Sequence, residues 1–313
     1  RRALLQDGAL ALQVQDGLWN AVEPWVPRIP PRDAGGEARA WIVVQAGAPT
    51  FAPPAAAPAF ELRGVDGWIG PFGQVLLMER GRRVSAVVEP ENGVATVRLN
   101  TPPGEDAPAL EIFAALTLVS ALLLGRLCRT LVHAGAILGP DGRAWMLAGG
   151  SFSGKSTTCV TLIRAGWNYL ADDHLVLGRD QEGGLLLEGW PRRFNLDLGY
   201  QDGASRGVRN RVDSQDFGPG QWVRSAPLAG VLFPRVEAGE PTSLRPISAA
   251  DALSRLMRQS PWLLADAGAA PAILRLLQDA GAAPAYDLRL GADCYRNFDV
   301  LLQVLAAAAS PSG

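Results

Sequence analysis

The feature that most constrains this chain is a glycine- and serine-rich stretch of the form G-x-x-x-x-G-K-[ST]. Its members are Gly149, Gly150, Ser151, Phe152, Ser153, Gly154, Lys155, Ser156 and Thr157. An apolar run precedes the stretch and a helix-forming run follows it, which is the setting of a phosphate-binding loop. The backbone N–H groups of such a loop and the positive end of its helix face an anion. The sequence therefore predicts a nucleotide site at 149–157.

One residue of this loop departs from the composition of the whole chain. Lys155 is the only lysine among 29 lysine and arginine residues. In the loop pattern the lysine bridges the terminal phosphates, and the hydroxyl of the next residue, Ser156, is placed to ligate Mg²⁺. A chain that otherwise uses arginine for positive charge thus keeps a lysine where this pattern requires one.

Helical and strand patterns alternate around the loop, which predicts an α/β fold. The predicted order is a helix at 110–127, a strand at 131–138, a strand at 143–149, a helix at 155–165 and a strand at 168–173. Further strands are predicted at 228–235, 242–247 and 285–290, with helices at 248–260, 271–281 and 294–309. We assign residues 106–313 to one catalytic domain.

Residues 1–105 have a different character, with proline- and alanine-rich stretches between short β-like runs. Strands are predicted at 38–46, 73–79, 82–90 and 93–100, because these runs are apolar or β-branched and several end in Gly, Pro or Asn. Glu91-Asn92-Gly93 is typical of a hairpin turn. We expect a smaller, mostly β domain at 1–105, with a linker at 101–108.

Composition excludes several classes of protein. The chain has 313 residues, of which 48% are hydrophobic, enough for about two domains with a sizeable core. The net charge of −2 gives no global attraction to nucleic acid or to an anionic membrane. Three distant cysteines support neither a disulfide framework nor a zinc site, so we expect a cytoplasmic protein.

An apolar stretch at 107–125 is long enough to need a membrane test. It contains Glu111 and runs directly into a predicted strand, so we favour a buried core helix over a membrane span. The first 17 residues lack the long apolar segment of a signal peptide. We therefore predict no membrane partner.

Two adjacent aspartates follow the predicted strand at 168–171. The carboxyl ends of parallel strands meet at one edge of a sheet, so Asp172 and Asp173 are expected beside the phosphates if this strand is parallel to 143–149. A carboxylate there either holds Mg²⁺ or takes a proton from an attacking hydroxyl, and two can divide these tasks. His133 lies one strand earlier, and we include it in the candidate site. His174 is expected to point away from Asp173 if the strand continues.

Two arginine-bearing segments are candidates to stabilise the transferred phosphoryl group. They are Trp190–Phe194, which contains Arg192, and Phe233-Pro234-Arg235. A polar, glycine-rich stretch at 200–221 is interpreted as a substrate loop or an irregular excursion.

The residues from His133 through the loop to Asp172-Asp173 resemble the catalytic core of HPr kinase/phosphorylase, which is related in fold to phosphoenolpyruvate carboxykinase. The shared pattern is a strand bearing His-Ala, a loop of the form G-x-S-x-x-G-K-S, a short helix and a strand ending in Asp-Asp. The downstream segments GWPRRFNLDLG and PAYDLRLG also resemble divergent HPr-kinase-like proteins. Some of those phosphorylate a serine of a ribosomally made precursor peptide, as in lasso-peptide pathways.

This resemblance, over about residues 110–300, implies a role for each matching residue. Residues 149–157 would bind ATP, Ser156 and Asp173 would serve Mg²⁺, and Asp172 would be the general base. Residues 1–105 do not resemble the N-terminal domain of HPr kinases, and their signature segment after the catalytic core is not found. Regulation through HPr and the reverse phosphorolysis are therefore not implied.

Two classes of function remain open at this point. We favour an ATP- and Mg²⁺-dependent kinase whose acceptor is a Ser/Thr-type hydroxyl of a small protein or precursor peptide, with catalytic Asp172, His133, Lys155 and Arg192. The alternatives are a nucleotide-dependent binding or regulatory module without transfer, an HPr-type regulatory kinase and a small-molecule kinase. The sequence predicts no nucleic-acid partner and leaves a homo-oligomer open.

Overall fold

The computed structural model describes residues 1–5, 9–27, 38–101, 109–192, 194–197, 209–212, 217–237 and 239–309. The chain forms two compact units, one of Arg1–Leu131 with Pro261–Leu274 and one of Val132–Ser260 with Arg275–Gly313. Except for Thr101, the predicted linker at 101–108 lies outside the described residues. The division after Leu131 places the first long helix with the N-terminal strands, whereas the sequence assigned it to the domain at 106–313.

The first unit is built on an eight-stranded mixed sheet. Its strands are β1 (Arg2–Leu5), β2 (Leu10–Val14), β3 (Ala40–Ala46), β4 (Phe60–Leu62), β5 (Val65–Ile69), β6 (Val75–Glu79), β7 (Val84–Glu89) and β8 (Val94–Leu99). The order across the sheet is β1-β2-β3-β8-β7-β6-β5-β4. The β character predicted for this region is confirmed, including the turn into β8, where Gly93 has φ of +65°. The short helix α1 (Trp19–Val22) joins β2 to β3.

The core of this unit lies between the sheet and α2 (Ala109–Arg126). In this helix Leu116, Leu118 and Leu122 are almost fully buried, as are Val84, Ala86 and Val88 of β7. The helix is long and apolar enough to cross a membrane, but 67% of its residues are buried in the structure. The prediction of a core helix at this position is therefore confirmed.

The second unit contains the remaining elements. They are β10 (Ala134–Leu138), β11 (Ala144–Ala148), α3 (Lys155–Arg164), β12 (Asn168–Ala171), β13 (Leu175–Arg179), β14 (Leu185–Gly189), β15 (Phe194–Asp197), β16 (Arg209–Val212), β17 (Ser225–Val236), β18 (Ser243–Pro246), α4 (Ala249–Arg258), β19 (Ala285–Leu290), α6 (Ala292–Arg296) and α7 (Phe298–Ala309). Strand β9 (Thr130–Val132) and helix α5 (Ala270–Ala282) span the divisions between units.

The central sheet of the second unit has the order β12-β10-β11-β17-β14-β13, and β17 also pairs with β19. Strands β11, β17 and β19 are parallel, whereas β10 is antiparallel to both β11 and β12. Strands β11 and β12 therefore run in the same direction with β10 between them. This confirms the α/β fold class, and it meets the condition on strand direction under which Asp172 was expected beside the loop.

Two predicted elements are interrupted in the structure. The strand predicted at 131–138 is broken at His133, whose backbone N–H donates to Gln259 O at 2.8 Å instead of joining a strand ladder. The helix predicted at 294–309 is split into α6 and α7 because Asn297 is extended, with φ of −138° and ψ of 107°. All three cysteines are free thiols, in agreement with the prediction of no disulfide framework.

Candidate active site

The register of three strands positions the candidate site. Ala134 at the start of β10 pairs with Ala148 at the end of β11, which places His133 opposite Gly149. On the other side of β10, Ala136 pairs with Ala171 at the end of β12, just before the aspartate pair. Two carboxyl ends therefore meet the amino end of β10 at one edge of the sheet, which brings the loop, the aspartates and His133 together.

The loop between β11 and α3 makes a tight turn. Gly154 has φ of +100° and Phe152 has φ of +66°, both in the left-handed region that glycine tolerates best. A Cβ on Gly149 would lie 2.7 Å from Ser153 Oγ, so only glycine fits there without displacing that side chain. Helix α3 starts at Lys155 and has no side-chain cap, which leaves its first N–H groups to another acceptor.

Lys155 lies across its own loop. Its side chain is 6% exposed, and Nζ donates to Gly149 O at 2.7 Å and to Gly150 O at 2.9 Å. A third contact joins Nζ to His133 Nε2 at 3.4 Å. The ammonium is thus held beside the loop by two carbonyl oxygens and an imidazole nitrogen, where a phosphate oxygen can replace them.

Asp172 is a buried carboxylate with one unsatisfied oxygen. Only 5% of the residue is exposed, Oδ2 accepts from Ser156 Oγ at 3.0 Å, and Oδ1 has no hydrogen-bond partner. Burial, followed by the negative charge of Asp173, raises the pKa of Asp172 to about 7. The carboxylate lacks enough positive charge around it, which suits a group that receives a cation or a proton from a ligand.

Asp173 has the opposite environment. Its Oδ1 lies 3.1 Å from His133 Nδ1, and its Oδ2 accepts from Arg192 at 2.8 Å. Burial acts to raise the pKa of Asp173, but the hydrogen bond from His133 and the charges of His174 and Arg192 hold it well below its usual range. Asp173 therefore stays ionised.

The hydrogen bonds of His133 define which ring nitrogen carries the proton. Nδ1 faces two acceptors, the carboxylate of Asp173 and its backbone oxygen at 3.2 Å. Nε2 faces the ammonium of Lys155, which can only donate. We therefore assign the tautomer with the proton on Nδ1 and a lone pair on Nε2.

His174 and Arg192 complete the site on the side of Asp173. The strand ends at Ala171, so the condition for His174 to point away from Asp173 is not met. Instead His174 is 3% exposed, and its Nδ1 lies 2.8 Å from the guanidinium of Arg192. Sequence reasoning gave His174 little weight because its position depended on where β12 ends.

The second arginine segment lies at a neighbouring strand end. Pro234 O would be 3.7 Å from a Cβ on Gly149, so the end of β17 borders the loop. Arg235 forms an ion pair with Glu237 at 2.9 Å. The side chain of Arg193 and most of the stretch at 200–221 lie outside the described residues.

The polar side chains of the candidate site suit Mg²⁺ better than a metal ion whose ligands are all protein side chains. Within the described parts of the chain, no three His, Cys, Asp or Glu side chains are grouped to hold a metal ion. Ser156 Oγ and the unsatisfied Oδ1 of Asp172 are oxygen ligands of the kind Mg²⁺ prefers, and Mg²⁺ commonly takes its other ligands from water and substrate phosphates. The loop, a hydroxyl and a carboxylate together suit a Mg²⁺–nucleotide complex.

Comparison with known proteins finds a distant likeness among solved structures. No family model matches the sequence, and no curated protein matches it significantly. Among solved structures, the chain is similar to the Hpr(Ser) kinase/phosphatase from Coxiella burnetii, with a TM-score of 0.33 and 12% sequence identity. The match covers 57% of this chain and 94% of that one. A likeness of this degree says nothing about what the protein binds, so its function has to be inferred from the site.

Proposed function

We propose that the protein is an ATP- and Mg²⁺-dependent phosphotransferase that acts on a Ser/Thr-type hydroxyl. The observation that carries this proposal is the 3.0 Å contact between Ser156 Oγ and Asp172 Oδ2. It joins the hydroxyl that follows the loop lysine to a buried carboxylate on a neighbouring strand end. A nucleotide-binding loop with a lysine, a hydroxyl and an aspartate pair at one sheet edge has the parts that phosphoryl transfer needs.

Each part has a task in the proposed reaction. The N–H groups of residues 149–157 and the ammonium of Lys155 bind the phosphates of ATP and orient the γ-phosphoryl group. Bound Mg²⁺ would neutralise charge on the phosphate oxygens, held by Ser156 and a carboxylate of the aspartate pair. Arg192, fixed by Asp173, supplies positive charge at this end of the site.

The transfer itself is an in-line displacement. The acceptor oxygen forms a bond to the γ-phosphorus while the bond to the β–γ bridging oxygen breaks, and ADP leaves with that electron pair. The acceptor's proton passes to a base in the site. Positioning and charge neutralisation account for most of the catalysis in this class of reaction.

We further propose that the acceptor belongs to a small protein or peptide, as in the HPr-kinase-like proteins that the sequence resembles. The same proposal places the protein in the cytoplasm, in keeping with its three free thiols. Residues 1–105 are proposed to recognise the acceptor or a partner. These statements are supported by the sequence resemblance and not by a contact in the structure.

Label transfer from γ-³²P-ATP tests the proposed function. Purified protein, Mg²⁺ and a size-fractionated lysate of the native host are incubated, and acid-stable label on proteins and peptides is followed. We expect one labelled species with the wild-type protein and with Arg164→Ala, a change at an exposed position of the same helix. We expect none with Lys155→Ala. Label found only as free phosphate or on bound ATP would reject transfer and favour a nucleotide-dependent binding module.

A further inference from the structure

We propose that the His133–Asp173 pair takes the proton of the acceptor hydroxyl and that Asp172, with Ser156, carries the metal. This rests on the proposed function and reverses the division of roles that the family resemblance implies. It follows from the hydrogen-bond partners of the two carboxylates, which differ although the residues are adjacent.

Asp173 has the contacts of a positioning residue. Both of its oxygens are engaged, Oδ1 by His133 Nδ1 at 3.1 Å and Oδ2 by Arg192 at 2.8 Å. A cation bound to Asp173 would have to share an oxygen with His133 or Arg192. The bond to His133 instead fixes the ring and directs the lone pair of Nε2 away from the carboxylate, as an orienting acid does for a catalytic imidazole.

His133 Nε2 is directed at the phosphate-binding loop. His133 directly precedes Ala134, which pairs with Ala148 just before the loop, and its side chain is 12% exposed. In the ligand-free protein the Lys155 ammonium lies 3.4 Å from Nε2. When Lys155 moves to the phosphates of ATP, this lone pair becomes available to an acceptor hydroxyl next to the γ-phosphoryl group. Nucleotide binding would therefore expose the base.

Asp172 has the contacts of a metal ligand. Its Oδ2 already bonds to the loop hydroxyl of Ser156, and its Oδ1 is buried without a partner. A cation bound to Oδ1, with Ser156 Oγ as a further ligand, would satisfy this oxygen and offset the cost of its burial. The structure shows no corresponding contact between Ser156 and Asp173 among its described hydrogen bonds.

The proposed step combines proton transfer to His133 with transfer of the phosphoryl group. The acceptor O–H gives its proton to His133 Nε2, its oxygen bonds to the γ-phosphorus, and the bond to the bridging oxygen breaks with the electron pair on ADP. The imidazolium is stabilised by the carboxylate of Asp173 and returns its proton to solvent after ADP leaves. No oxidant or further reactant is needed.

The first test measures the metal part without an acceptor. Mn²⁺ binding to the full chain with AMP-PNP is followed by electron paramagnetic resonance. We expect Asp172→Asn to weaken Mn²⁺ binding at least about 10-fold and Asp173→Asn to leave it close to wild type. The opposite order would overturn the metal assignment.

The second test measures the base. His133→Asn keeps a donor near the Nδ1 position and so can retain the bond to Asp173, but it has no Nε2. We expect normal Mn²⁺–AMP-PNP binding, a loss of label transfer of about 10²- to 10⁴-fold and partial rescue by added imidazole. Transfer close to wild type in His133→Asn would overturn the role of the base.

Nitrogen NMR gives a readout that a merely structural role would not produce. With ¹⁵N-histidine label only two rings are seen, and His133→Asn assigns them. We expect His133 to be protonated on Nδ1, to change its Nε2 signal when Mg²⁺–AMP-PNP binds, and to lose this tautomer preference in Asp173→Ala. A proton fixed on Nε2 would overturn the proposal. If wild-type protein binds nucleotide but labels nothing, the proposed function fails, while the Mn²⁺ result still decides which carboxylate holds the metal.

Discussion

Two of the buried carboxylates of the protein, one in each unit, are satisfied to different degrees. Asp266 in the first unit is 7% exposed, and its two oxygens accept from Arg126 at 2.6 and 2.8 Å. Asp172 in the second unit is 5% exposed, but only one of its oxygens is bonded. An unsatisfied buried oxygen lowers stability, so this contrast is what is expected if Asp266 serves the fold and Asp172 serves the proposed ligand.

The charged neighbours of Asp266 and Asp172 support the same contrast between the two carboxylates. The hydrogen bonds that Arg126 donates to Asp266 raise the pKa of Arg126 and favour its charged form. Burial and the negative charge of Asp173 raise the pKa of Asp172 instead, and the positive charges of Lys155 and Arg192 offset them only in part. A group that is to bind a cation or a proton therefore destabilises the ligand-free protein at its position, and it can be recognised by this effect.

Removing the arginine of the satisfied pair should have the largest effect on stability. Arg126→Ala leaves Asp266 buried without its counter-ion and should lower the free energy of unfolding by about 3 to 5 kcal/mol. Urea unfolding at pH 7 measures the change, with Arg39→Ala as a control at an exposed position of the same unit. Equal unfolding midpoints for Arg126→Ala and Arg39→Ala would contradict the contrast between Asp266 and Asp172.

Removing the charge of the unsatisfied carboxylate should instead raise the free energy of unfolding. Asp172→Asn removes a buried charge and should stabilise the metal-free protein by about 1 to 3 kcal/mol above pH 7. The folded pKa of about 7 exceeds the ordinary value of 3.8, so the contribution of Asp172 to stability is greatest below pH 4 and falls as pH rises towards 7. Thermal melts in EDTA from pH 5 to 8 should show the variant's advantage growing with pH. An advantage that does not change with pH would contradict this reading.

The smallest expected effect concerns the packing that brings Asp172 to the loop. A Cβ on Gly135 would lie 3.0 Å from both Asp172 O and Cys159 Sγ. Gly135→Ala should therefore cost about 1 to 2 kcal/mol and weaken ATP binding by moving β12 or α3. Gly239→Ala, where no atom lies within 4 Å of the added Cβ, is the matched control. Similar stability and ATP affinity in both variants would show that this close approach is not needed.

Much of the fold could be predicted because hydrophobic periodicity and turn residues are local properties. Strands β3, β6, β7 and β8 and helix α4, with Ser248 accepting from Asp251 N, follow from such patterns. The break at His133 could not be predicted in this way, because it depends on a hydrogen bond to Gln259, which is distant in sequence. The grouping of α2 with the N-terminal sheet likewise depends on tertiary packing.

The sequence could predict which residues belong to the candidate site, but it could not predict which of them contact one another. The loop pattern and the Asp-Asp dipeptide identify residues whose contacts the structure then shows. Which aspartate bonds to Ser156 and which to His133 depends on the β10–β12 register and on where β12 ends. The position of His174 against Arg192 was missed for the same reason.

Calorimetric titration of MgATP into the wild-type protein and Lys155→Ala tests the central claim most directly, since every proposed step depends on nucleotide binding at 149–157. We predict one site per wild-type chain and affinity at least about 100-fold weaker in Lys155→Ala, with Arg164→Ala unchanged. Equal affinity in wild type and Lys155→Ala, or no binding to the wild-type protein, would contradict the account.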